Sequence, residues 1–394
     1  MSEENHNKRN DFKEKNYHSS NQQKNGSDIS ENKNSFYPWI KTNSKCNFFK
    51  GILKLHYEIL DFYEFIKLTD EEITLRNKTY NEIKDIIEDN FPNYKCSLYG
   101  SFITGLSLPN SDIDILITEK ENSCKTQSTQ SESDIDNKGE KCLLNNMEKI
   151  YSILKNKNIF KNLEMINAKV PIITGLYYST QIHVDISLYK KNGVNAAEII
   201  NKAISIYPEI KPLMLIIKYL IRQRNLNQIY TGGISSFIIF TLLYYYIVDL
   251  RKQIENEIKN GQKERTLTLG HLLIGFFNFY AFQFKYEKFG ISISNGCYLY
   301  KREVESKNIL SVKSFEDESL DMGINCFNYG KIRDVFKLAA ERLNYSEKNI
   351  VSYLKEFIFP DDILKKRANM ISNKNKCRVL KNISKKTLRT YYSP

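Results

Sequence analysis

The 394 residues, 41% of them apolar, suffice for two domains with cores of their own, which excludes a small module held together by staples. A formal charge of +12 favours an anionic partner, nucleic acid first, or else a generally basic surface. Seven cysteines without a CxxC pair read as free thiols and not as a disulfide frame or zinc site.

Residues 1–35 are Asn, Lys, Ser and Glu with hardly any large apolar side chain, a composition that predicts disorder, and nothing there reads as a signal peptide. Order is expected from Phe36, with a helix within 36–69 packing on the central part of the chain. A second helix is expected from Asp70 to Asn90, capped by Thr69 with acids in its first turn. The strand "KCSLYGS", a short helix and the strand "DIDILIT" follow. Residues 119–146 turn polar and read as an inserted loop. A helix over 146–155 and strand candidates at 163–173 and 182–189 complete a mixed α/β region ending at 195. From Ala196 the periodicity is helical, with a β-like interlude at 291–300 and a last helix from Lys331 to Leu343. The longest apolar run, Phe237 to Val248, is too short to cross a membrane, so the chain reads as soluble and intracellular. After Pro360 comes a basic tail with ten Lys or Arg against two Asp.

The chemistry centres on "NSDIDILI". Residues two apart in a strand share a face, so Asp112 and Asp114 project together while Ile113, Ile115 and Ile117 face a core. Such a pair suits two divalent cations about 3.5–4 Å apart, the arrangement used for displacement at phosphorus. "IHVDISLY" offers a third acid, Asp185, in the same apolar–acid–apolar setting. Upstream, Gly100 and Ser101 sit at a turn where glycine admits a phosphate and the next groups donate to it. A second "SDID", with Asp134 and Asp136, has no Gly-Ser turn before it and no apolar run after it, and reads as solvated loop.

With these blocks in this order the chain resembles the nucleotidyltransferases of the DNA polymerase β superfamily. More narrowly, it is similar to the noncanonical poly(A) polymerases of the topoisomerase-related-function branch. "YGSFITGLSLPNSDIDILI", "AKVPIITGLYYSTQIHVDIS", "NGVNAAEIIN", "LIIKYLIRQRNLNQIYTGGISSF" and "GHLLIGFFNFYAFQF" carry the resemblance, from about Phe36 to Leu343. It implies an α+β fold, with a polymerase β-like palm as catalytic domain at 70–195. A mostly helical central domain follows at 196–358, including a PAP-associated segment at 266–330, and 359–394 form the tail.

The same resemblance implies Mg2+ or Mn2+ in a two-metal site on Asp112, Asp114 and Asp185, with ATP as substrate. It implies that Gly193 lies near the ribose, that Lys218 meets the triphosphate, and that Ser236 and Phe237 meet phosphate and base. Read alone, Lys218 in "LIIKYLI" is a lone charge on an apolar helix with snorkelling as its alternative, and Phe237 is equally a core aromatic. His183 shares the face of Asp185, and Arg222 and Arg224 offer cleft charge or plain surface. In "ESLDMGINCF" Leu320 and Ile324 stand where ATP-preferring relatives carry asparagine and arginine, so the base contact made there is lost; Asn325 or Asp317 are the stand-ins.

The implied activity is addition of AMP to RNA 3′ ends, marking nuclear RNA for exosome processing or decay. The implied partners are a zinc-knuckle RNA-binding protein and an RNA helicase, with the nucleus as compartment and no membrane. The alternatives are a terminal uridylyltransferase and an inactive scaffold of an RNA-decay complex.

Overall fold

The computed structural model describes residues 37–40, 43–120, 132–167, 171–188, 192–294, 296–302, 310–315, 317–345 and 350–372, with backbone alone at 132–143 and 192–195. The expected disorder at 1–35, most of the polar insert before 132 and the end of the basic tail lie outside them.

Two apolar cores organise the chain. The smaller is built on a five-stranded sheet of β1 (Tyr94–Tyr99), β2 (Ile113–Glu119), β3 (Phe160–Ile166), β4 (Ile172–Tyr177) and β5 (Ile182–Leu188). Its order is β1-β2-β5-β4-β3, with only β2 and β5 parallel. Ile113, Ile115, Ile117, Val184, Ile186 and Leu188 point to one face, as period-two alternation requires. Helices α2 (Asp70–Asn90) and α3 (Glu132–Asn156) cover that face with Ile83, Ile87, Met147, Ile150 and Leu154. The α2 start is a full capping box: Thr69 accepts from the Glu72 amide while Glu72 accepts from the Thr69 amide.

The larger core is helical. α1 (Gly51–Ile66) packs on α5 (Ile210–Arg222) and α7 (Leu269–Asn278), beside α4 (Asn192–Ile206), α6 (Ser236–Lys259) and α8 (Tyr329–Tyr345). A hairpin of β6 (Phe289–Ser292) and β7 (Tyr298–Lys301) fills the expected β-like interlude. Glu58 of α1 lies fully inside, accepting from the Trp39 indole, the Ser352 hydroxyl and the amides of Tyr353 and Leu354. Four donors meet the one buried carboxylate, though burial still raises its pKa.

Several expectations need correction. No helix follows Gly100–Ser101: residues 100–105 are turns, because Gly100 and Gly105 take positive φ values of 72° and 68°. The 163–173 stretch is shared between two antiparallel strands, β3 ending at Ile166 and β4 starting at Ile172. The second "SDID" lies within α3 and not in a loop. Residues 362–372 are helical, with Leu364 and Arg367 buried, so the tail begins as a packed element. Among the described residues, Cys46, Cys96, Cys297 and Cys326 are free and buried, and no helix is long and apolar enough to cross a membrane.

Candidate active site

The sheet face turned away from α2 and α3 carries the carboxylates. Asp114 of β2 and Asp185 of β5 are direct partners in the parallel register, and Asp112 precedes Asp114 by two residues. Thr174, the β4 partner of Asp185, donates to its Oδ1 at 2.6 Å and so orients it. Burial first, then the charges of Asp185 and Asp112, push the Asp114 pKa up to about 7. Asp185 is also raised, mainly by burial.

The helical core supplies the opposite wall. Ser101, Asp112 and Asp114 line one cleft with Lys218, Arg222 and Ser236. Lys218 is buried, donates to the Leu106 carbonyl at 2.7 Å, and is pushed down to about 8 by burial, against the pull of Asp114. The snorkelling reading of Lys218 therefore fails, since the ammonium points inward. Ser236 opens α6 behind the cap of Ser235, whose hydroxyl accepts from the Ile238 amide at 3.2 Å. Ser236, the first residue of that helix, lines the cleft, and a helix N-terminus there suits phosphate. An adjoining apolar chamber is lined by Gly100, Ala196, Met214 and Phe237, sharing Ser101, Lys218 and Ser236 with the first. Phe237 is half-buried, with its ring 5.3 Å from that of Phe315, so it is both a chamber wall and a packed aromatic. Gly193 falls in the first turn of α4, one of the residues described by backbone alone.

Three further residues belong to the site. Arg76 of α2 is buried beside Asp112 and Asp114, donating to the carbonyls of Ser111 and Pro109 at 2.8 and 3.0 Å. A lone arginine on an amphipathic helix gave no signal of this. Arg222 faces the cleft near Asp112; with its amide oxygen turned that way, Asn110 accepts from Arg222 Nε at 3.0 Å. Its i+4 spacing from Lys218 was the available signal. Thr174 alternates within β4 as Asp185 does within β5. Arg224, by contrast, turns to the Phe357 carbonyl at 2.9 Å and lies over the Phe359 ring. His183 is exposed. Leu320 and Ile324 are 57% and 62% exposed on the outside of their loop.

The donors fit a divalent cation by type: carboxylate oxygens sharing one face, where burial and then the neighbouring carboxylates raise Asp114 and so favour a cation between them. Among the described residues no three His, Cys, Asp or Glu side chains converge into a finished metal cage. The fit lies in donor type and shared face.

The family model described as "Poly(A) RNA polymerase, mitochondrial-like, central palm domain" matches residues 55–204, and that of the "Cid1 family poly A polymerase" matches residues 268–320. Residues 55–204 and 268–320 thus carry a palm domain and a PAP-associated segment of the noncanonical poly(A) RNA polymerase type. Poly(A) RNA polymerase protein 2 of Saccharomyces cerevisiae is 30% identical over 79% of this chain and 51% of its own length. Poly(A) RNA polymerase protein 1 of Eremothecium gossypii is 32% identical over 79% of this chain and 48% of its own. The chain thus spans about half the length of the curated relatives it matches. The solved polymerase core of TRAMP, an RNA surveillance complex, superposes with a TM-score of 0.63 at 26% identity, covering 84% of this chain and 99% of that one. The Cid1 poly(U) polymerase bound to MgGTP shares the fold at 18% identity, with a TM-score of 0.62 over 77% of this chain and 98% of its own. The architecture is that of a polymerase β-like nucleotidyltransferase joined to a helical, PAP-associated part.

Proposed function

We propose that this chain is a template-independent adenylyltransferase that adds AMP from ATP to RNA 3′ ends. The observation that carries the reading is that Asp112 and Asp114 share a cleft with Lys218, Arg222 and Ser236 at the α6 N-terminus, with Asp185 the strand partner of Asp114. Carboxylates on one wall and phosphate-binding groups on the other are what nucleotidyl transfer needs.

Asp112 and Asp114 would hold both divalent cations, Mg2+ or Mn2+, and Asp185 one of them. When bound, such ions supply charge for in-line displacement at the α-phosphorus. Lys218, Arg222, Ser101, Ser236 and the α6 amides bind and orient the triphosphate. Phe237, beside Gly100, offers a ring for the base, and Gly193 lies toward the ribose. Thr174 orients Asp185 through its hydrogen bond, and in this reading Asp185 would serve the RNA 3′-hydroxyl. In domain terms, a catalytic unit at 70–195 closes on a helical unit at 196–358 that also packs residues 36–69. Likeness to the polymerase core of TRAMP, an RNA surveillance complex, supports work within such a complex; in this reading the partners are a zinc-knuckle RNA-binding protein and a helicase, and the substrate is nuclear RNA bound for the exosome.

The test incubates purified protein with a short RNA, Mg2+ or Mn2+, and each NTP in turn. Extension with ATP, lost in Asp112→Ala/Asp114→Ala, supports the reading. Equal or better use of UTP makes it a uridylyltransferase. No extension even with the partner proteins makes it a scaffold.

A further inference from the structure

The loop from Leu226 to Ile234 leaves the cleft and returns to it. Asn227 and Ile234 line the cleft, and the excursion closes through Ile234 N to Leu226 O and Gly233 N to Gln228 O, both 2.8 Å. At its tip Ile229 is exposed and Tyr230 is 81% exposed. The loop is braced from outside. Asn328 donates to Gly232 O at 3.0 Å and to Thr231 O at 2.6 Å. The Phe327 ring presses on Gly232 so closely that a Cβ there would stand 2.4 Å from it, while Phe327 remains 65% exposed. Ile324 lies three residues before Phe327, and Asp321 is turned inward to Ser311, Val312 and Gly323.

Ile229 and Tyr230 at the loop tip, with Phe327 against Gly232 and Ile324 three residues before it, group exposed apolar side chains on one stretch of surface, and such grouping marks an interaction site. We propose that Tyr230 and Phe327 form a stacking ridge for single-stranded RNA, receiving the bases just upstream of the 3′ end without reading their identity. The proposal rests on the transferase reading. The loop that carries Tyr230 starts and ends at the cleft-lining Asn227 and Ile234, which sets the ridge beside the route of a strand whose 3′ end reaches Asp112 and Asp114. Ring faces accept any base, and Ile229 and Ile324 offer no hydrogen bonds by which to choose among them. The net charge of +12 supplies the attraction for the backbone, while the ridge supplies contact that salt does not screen.

The experiment measures fluorescence anisotropy of a labelled single-stranded oligo(A) with the full chain, without nucleotide, across a salt series. Base stacking is worth roughly 1–3 kcal/mol per base, so Tyr230→Ala is expected to weaken binding at least about fivefold. The salt slope stays unchanged, Tyr230→Trp keeps the affinity, and Phe327→Ala adds to the loss. Tyr230 is exposed enough that its removal leaves the fold intact. Unchanged affinity in both alanine variants overturns the ridge, as does an equal loss for a blunt duplex. If no NTP is added to RNA yet Tyr230→Ala still weakens binding, the ridge stands and the transferase reading falls. If both variants extend RNA with the wild-type KM for RNA, the ridge falls and the transferase reading stands.

Discussion

Gly100 lies so close to Asp114 that a Cβ on it would stand 2.1 Å from the carboxylate oxygen Oδ2. With φ at +72°, the position excludes a side chain on conformational grounds as well. The glycine therefore guards the seat of a carboxylate as much as it admits a phosphate. Gly100→Ala is expected to lower turnover on single-stranded RNA by about a hundredfold, because an ångström of misplacement at a reacting centre has that effect. Thermal unfolding should shift far less, since the turn is at the surface of the cleft. Turnover within a few-fold of wild type would show that Asp114 has another rotamer at its disposal.

The Asp114 pKa of about 7 makes metal-free stability depend on pH. An unfolded Asp114 ionises near 3.8, so between that value and about 7 the folded state binds the extra proton. This group's contribution is therefore greatest at low pH and falls as pH rises through that window. Lys218, lowered from 10.5 to about 8, works in the opposite direction higher up: its burden is present below about 8 and is relieved as pH climbs toward 10.5. Asp114→Asn should raise the metal-free Tm by several degrees at pH 8 and by little at pH 5, while abolishing activity. A pH-independent shift would mean that burial of the charge is not what the wild type bears.

The carboxylate register was legible in the sequence because alternation along a strand is a period-two signal, and "DIDILI" and "HVDISL" both carry it. The α2 cap at Thr69 was legible because capping is local chemistry. The turn at 100–105 was not, because positive φ at Gly100 and Gly105 looks no different in sequence from a flexible helix start. Arg76 was invisible since its partners, the carbonyls of Pro109 and Ser111, lie more than thirty positions away. The charge of residues 362–372 hid a helix that buries Leu364 and Arg367, because composition reports solvation and not the direction in which a side chain points.

Arg222 and Arg224 make a paired test. Only Arg222 lines the cleft with Asp112, Lys218 and Ser236. Arg222→Ala should raise the KM for nucleotide about tenfold, the loss of one charge-assisted contact, with little change in Tm. Arg224→Ala should leave that KM unchanged and lower Tm by a few degrees, since it removes the bond to Phe357 O and the contact with Phe359. Equal effects on KM from the two would place the triphosphate elsewhere.

Arg367 sits where α1, part of the helical core, hands over to α2, which lies on the sheet. Its Nε donates to the Phe65 carbonyl at 2.8 Å, and its two terminal nitrogens reach the Lys67 carbonyl and the Glu72 carboxylate. One guanidinium thus holds the last turn of α1 and the first turn of α2, with Glu72 already engaged in the capping box. Lysine lacks the planar fork needed to reach all three. Removing a buried ionic partner costs roughly 3–5 kcal/mol, so Arg367→Ala should lower Tm by on the order of 10 °C, and Arg367→Lys should recover only part of it. Ending the chain after Ser372 keeps this clamp and removes seven of the ten basic residues, so Tm should hold while RNA affinity at low salt declines. Ending it after Pro360 removes the clamp together with the buried Leu364, and should lower Tm at least as far as Arg367→Ala does. If the two truncations proved equally stable in thermal melts, the junction between the cores would have to be held by α1 and α2 alone.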